Sequence, residues 1–115
     1  MSKLTIDEYA EQASKTAAFD TETFGMSEMY YVSSGLSGEA GEVSNQVKKI
    51  WRDDESQLTL KRKQALFKEL GDVLWYWAMN CRILGYEPSE VAQYNLDKLA
   101  KRQKENKIHG DGDNR

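Results

Sequence analysis

A single proline, Pro88, stands among the 115 residues, and this scarcity constrains the fold more than any other feature. Proline ends helices and punctuates turns. A chain free of it from Met1 to Glu87 reads as long helical segments rather than a turn-rich β fold. The apolar residues agree. From Ser27, an acceptable N-cap, to about Trp51, the residues Met29, Val32, Leu36, Val43, Val47 and Ile50 recur every three or four positions. That is the spacing of a helix with one buried stripe. From about Leu60 to Leu84, the residues Leu66, Leu70, Val73, Leu74, Trp77, Cys81 and Leu84 repeat the pattern.

Two shorter segments flank this pair. Thr5 and Glu8 have capping-box spacing and open a first helix whose face carries Ile6, Tyr9, Ala10, Ala13 and Ala17. Gly85 suits a left-handed residue after the third helix, and Pro88 the first turn of a fourth. The fourth runs to about residue 106 and packs through Val91, Ala92, Leu96 and Leu99. The polar run Arg52–Gln57 closes a hairpin between the second and third helices. The expected fold is all-α: an antiparallel bundle of about four helices in one domain over residues 1–115, with residues 107–115 as a tail. So few amphipathic helices bury their stripes poorly alone, so a homodimer or homotetramer completing the bundle is expected.

Composition excludes several classes. The single cysteine, Cys81, rules out a disulfide framework and a cysteine-based zinc cluster. No run approaches the ~18–20 apolar residues of a membrane span. The acidic N-terminus lacks a signal peptide's apolar core, so a cytoplasmic location is expected. Net charge is −3, and neither half of the chain has the dense Lys/Arg excess of a nucleic-acid binder. The run Lys61-Arg62-Lys63 reads as a solvated helix face. Three glycines inside the second helix, Gly35, Gly38 and Gly41, each cost roughly 0.5–1 kcal/mol against alanine. They imply either a kink or a close approach of another group to the backbone.

The chemistry sits in two acid pairs, Glu39 with Glu42 and Glu69 with Asp72, each at i, i+3 spacing. At about 100° per residue, Glu39 lies about 60° and Glu42 about 120° round from Leu36; Glu69 and Asp72 lie about 100° and 160° round from Leu70, in the same sense. Antiparallel packing brings same-signed flanks out on one side. Glu39 and Asp72, like Glu42 and Glu69, are placed symmetrically about the Asp53–Gln57 loop, so folding the hairpin there brings four carboxylates level. Such a cluster needs raised pKa values, basic neighbours or a cation. Oxygen donors without Cys or His suit Mg²⁺, with Mn²⁺ as a substitute. Ordinary surface acids, or a non-catalytic helical module with a structural cation site or interaction surface, remain alternatives.

At these residues the chain resembles the MazG-like all-α nucleoside triphosphate pyrophosphohydrolases. Their hallmark is a Glu-x-x-Glu pair on one helix and a Glu-x-x-Asp pair on the next, matched here by Leu36-Ser37-Gly38-Glu39-Ala40-Gly41-Glu42-Val43 and Lys68-Glu69-Leu70-Gly71-Asp72-Val73-Leu74-Trp75-Tyr76. The similarity continues through Asn95, Lys98, Leu99 and Arg102. Many members carry a further acid where this chain has Gly38, which leaves the number of metals open.

The resemblance implies Mg²⁺ held by Glu39, Glu42, Glu69 and Asp72. It also implies hydrolysis of a nucleoside triphosphate between its α- and β-phosphates, in a homo-oligomer; hydropathy and charge, for their part, argue against a membrane or a nucleic-acid polymer as partner. Nucleotide-pool sanitation is the implied role, and the related phosphoribosyl-ATP pyrophosphohydrolase activity is a second enzymatic possibility. Glu42 and Glu39 are the catalytic candidates, with Glu42, pointing further from the core, as the proton acceptor. Lys49, Asn95, Lys98 and Arg102 are candidates for the phosphates, and Tyr76 and Asn80, on the flank of Asp72, for the nucleoside. Trp51 and Trp75 suit either the nucleoside or an interface. The lone His109 reads as solvated, although the ending Ile108–Arg115 resembles those of relatives and suits covering a site.

Overall fold

The computed structural model describes residues 3–105. The expected tail, with His109, lies outside them. Four helices follow in order: α1 (Ile6–Ser14), α2 (Met26–Asp53), α3 (Leu60–Ile83) and α4 (Pro88–Lys104), with no strand among the described residues.

Local chemistry explains most boundaries. Thr5 caps α1 in a full capping box: its hydroxyl accepts from the Glu8 amide at 3.0 Å, and Glu8 accepts from the Thr5 amide at 3.2 Å. Thr59 caps α3 by accepting from the Arg62 amide. Beyond α3, Gly85 adopts φ +86°, the left-handed turn expected of it. Pro88 then opens α4 behind a reciprocal Glu87–Glu90 cap. The start of α2 corrects the sequence reading. Gly25, not Ser27, is the N-cap. The Glu28 carboxylate folds back so closely that a Cβ at position 25 would lie 2.2 Å from its Oε2, and that negative group complements the helix N-terminus.

The α2–α3 hairpin is the backbone of the fold, and α1 and α4 pack on α3 and on each other. Arg62 clasps the hairpin near its turn, donating to Asp54 at 2.8 Å and Gln46 at 3.2 Å. It is therefore not part of a solvated basic face: its side chain is only 17% exposed. At the other end, Arg82 pairs with Glu11 and Glu22, and Asp7 accepts from the Ser89 amide at 2.8 Å. These contacts fasten α1 and the α1–α2 connection to the C-terminal half of α3 and the start of α4.

The core sits at this fastened end. Ala10, Ala13, Val32, Ala78, Met79 and Ile83 are buried together, with Tyr9, Phe19, Met29, Trp75, Tyr76 and Trp77 packed against them. Towards the hairpin turn the apolar face is uncovered: Phe67 is 79% exposed, Trp51 73% and Leu70 57%. Leu96, expected in the α4 stripe, is also exposed, whereas Arg102 is 4% exposed. The inward face of α4 is thus carried by Pro88, Val91, Ala92, Lys98 and the long stem of Arg102.

Candidate functional site

Helical spacing builds the site in layers. On α2, Tyr31, Gly35 and Glu39 follow at i, i+4 and i+8; on α3, Asp72, Tyr76 and Asn80 do the same. The antiparallel hairpin sets the two series against each other. In the first layer, one carboxylate oxygen from each of Glu39, Glu69 and Asp72 lies within 4.8 Å of the others. Glu42 is exposed and outside this group, because it stands a further helical step away from α3. Three of the four expected carboxylates therefore converge, and the fourth stands beside them.

Desolvation is the largest cause raising the Glu39 carboxyl above its ordinary value; Asp72, Glu69 and Glu42 add to it. Crowded like charges favour a bound proton or a cation. Hard oxygen donors converging at this range, with no thiol or imidazole among the described residues of the group, fit Mg²⁺ or Mn²⁺. A linkage consequence follows. An acid whose folded pKa is raised binds more protons folded than unfolded, so its contribution to stability declines as pH rises. In metal-free buffer, the thermal midpoint of the wild type relative to Glu39→Gln should fall as pH rises past the ordinary value of 4.5. Melting both proteins across that range with a chelator checks this.

Next to the acids, a cleft of about 330 Å³ is lined by Glu39, Asp72, Trp75 and Tyr76. Its aromatic wall belongs to a closed ring of four side chains: Trp75 and Tyr76 at 5.0 Å between centroids, Tyr76 and Tyr31 at 6.1 Å, Tyr31 and Phe19 at 5.2 Å, and Phe19 and Trp75 at 6.2 Å. Trp75 is held by its indole N–H, which donates to the Thr16 hydroxyl at 3.0 Å. The Tyr76 phenol is raised above its ordinary range, first by its hydrogen bond with Tyr31, then by burial, and further by Glu39 and Asp72. On α1, the Tyr9 phenol is raised chiefly by burial and also by Asp72.

Other expected residues lie elsewhere. The Asn80 amide nitrogen donates to the backbone carbonyls of Val32 and Tyr76, at 3.0 and 2.6 Å, so it ties α3 to α2 rather than offering itself to a base. Lys49 lies towards the turn, near Asp53, whose carboxyl is lowered mainly by the Arg52 hydrogen bond and less by Arg62 and Lys49. Asn95 is exposed, Lys98 half-buried and Arg102 buried on α4; none of them lines the cleft. Trp75, expected at either a nucleoside or an interface, lines the cleft. Tyr31 escapes the sequence reading although its i, i+8 spacing to Glu39 puts it on the same face of α2, whereas Phe19 carries no spacing signal, because it joins the ring only when the α1–α2 connection returns across α2 and α3.

The family model of the MazG nucleotide pyrophosphohydrolase domain matches residues 30–106, a span holding both acid pairs. The chain belongs to this family. It is also 42% identical over 112 residues to the gene 37 protein of Mycobacterium phage L5, covering 96% of this chain and 98% of that one. No solved structure matches it significantly.

Proposed function

We propose that the protein is a divalent-metal-dependent nucleoside triphosphate pyrophosphohydrolase that releases a nucleoside monophosphate and pyrophosphate, acting in the cytoplasm to remove unwanted (deoxy)nucleotides. The observation that carries this reading is the convergence of Glu39, Glu69 and Asp72 at the mouth of a cleft walled by Trp75 and Tyr76. When bound there, Mg²⁺ would supply charge neutralisation at the phosphates and an acidified water.

The chain's own residues would do the remainder. Glu39, Glu69 and Asp72 hold the cation. Glu42, exposed beside them, accepts the proton of the attacking water. Trp75 and Tyr76 present apolar ring area to the nucleoside and exclude water from that side. Among the described residues no basic side chain lines the cleft, so the cation meets the substrate's charge first. Lys49, Asn95, Lys98 and Arg102 would reach the phosphates only from a second copy or after rearrangement of this one.

We also propose a homo-oligomer, a dimer or a tetramer. The chain exposes 8584 Å², whereas a compact monomer of 13.2 kDa exposes about 6,400 Å². Its radius of gyration of 17.0 Å likewise exceeds the ~13 Å of a compact chain this long. The uncovered face of Phe67, Leu70 and Trp51 is where a second copy would complete the core.

The deciding assay is pyrophosphate release from a panel of deoxynucleotides, modified nucleotides and phosphoribosyl-ATP, with Mg²⁺ or Mn²⁺ and with chelator. Release that requires metal supports the proposal, and the panel identifies the substrate. Release from none of them overturns it in favour of a non-catalytic metal-binding or interaction module.

A further inference from the structure

Three glycines lie within the continuous helix α2, and their surroundings differ. Among the described residues, nothing lies within 4 Å of a Cβ built on Gly38 or Gly41. A Cβ on Gly35 would stand 2.1 Å from Cε1 of Tyr76, 2.4 Å from its Cδ1 and 2.5 Å from its Cζ. The Tyr76 ring therefore lies directly against the α2 backbone in the space a side chain would fill. Trp75 and Tyr31 flank it, and just beyond, Asn80 ties its backbone carbonyl and that of Val32 together. Any residue other than glycine at 35 obliges the ring to retreat by more than an ångström to reach the ordinary 3.4–4 Å contact. One helical turn on stand Glu39 and Asp72, which share the cleft with Tyr76.

We propose that Gly35 is a positioning residue for nucleoside selection: by letting Tyr76 seat against α2, it sets the width of the cleft beside the carboxylates. The inference rests on the proposed reading of the cleft as a nucleotide site. An alanine at 35 drives the ring into the cleft, so the bulkier purines lose more than the pyrimidines. The carboxylates, one turn away, keep their affinity for metal.

The test is calorimetric binding of the non-hydrolysable α,β-imido analogues of the four deoxynucleoside triphosphates with Mg²⁺. It compares wild type, Gly35→Ala, Tyr76→Leu and the double variant. Mn²⁺ binding and thermal melts are recorded for each protein. Gly35→Ala should weaken analogue binding roughly tenfold, more for purines, with Mn²⁺ affinity held within about twofold. In the double variant the alanine should add nothing to the loss caused by Tyr76→Leu, since the clashing ring is gone.

Unchanged analogue affinity in Gly35→Ala overturns the proposal. So does an equal loss of Mn²⁺ and all four analogues, or a double variant much weaker than Tyr76→Leu alone. Wild type that binds no analogue overturns it too, together with the nucleotide reading. Wild type that binds analogues but releases no pyrophosphate from natural nucleotides sinks the hydrolase reading alone, and the binding ratios still decide the role of Gly35.

Discussion

Glu39→Gln and Asp72→Asn are each expected to lower metal-dependent pyrophosphate release by about 10³-fold or more, with the helical circular dichroism signal intact. Each substitution keeps the side chain's shape and replaces an anionic oxygen donor with a neutral amide, in a group where one carboxylate oxygen from each of three residues lies within 4.8 Å of the others. A hard divalent ion held by so few protein ligands tolerates that poorly.

Glu39→Gln carries a second signature. Its carboxyl is raised by desolvation and by Asp72, Glu69 and Glu42, so the ionised form is a burden to the metal-free fold. The variant should therefore melt higher than wild type in chelator at neutral pH while losing the stabilisation that Mg²⁺ confers on wild type. Substantial turnover in both variants would show that these carboxylates do not hold the essential ion.

Phe67→Glu combined with Leu70→Glu is expected to dissociate the protein. The wild type should run in light scattering at a multiple of 13.2 kDa, and the double variant at that mass with a lower melting temperature. The physical ground is the truncated core. Buried apolar residues gather where α1 meets α2 and the C-terminal half of α3, and Phe67 at 79% and Leu70 at 57% exposure lie outside that core, in the half of α3 nearer the hairpin turn. Burying an aromatic ring contributes about 1.5–3 kcal/mol, and a carboxylate in its place at an apolar interface costs more than that. A wild type that runs at 13.2 kDa would rule out the oligomer.

Much of the fold and part of the site are legible in the sequence. Capping chemistry is local, so Thr5 with Glu8, Gly85 and Pro88 mark three boundaries correctly. Helical periodicity is also local, so the flank shared by Glu39, Glu69 and Asp72 can be read from their spacing against Leu36 and Leu70. At the start of α2 the local reading fails. Serine caps helices well in general, but the Gly25 backbone with Glu28 folded over it takes the role from Ser27. Arg62 fails for a different reason: in a basic run it looks solvated, and only the hairpin turn brings Asp54 and Gln46 to it.

Local chemistry sets the helices, the place where a hairpin turns and the side on which its acids emerge, because each of these depends on neighbours within a turn or two. That three acids converge while Glu42 stands beside them, and that Asn80 serves the backbone, follows from long-range packing. The same packing distinguishes Gly35, filled by the Tyr76 ring, from Gly38 and Gly41, which no described residue approaches. These outcomes depend on how two helices cross and on where the α1–α2 connection returns. Crossing and return are set by the sum of many side-chain contacts, and the spacing of residues along one helix does not encode them.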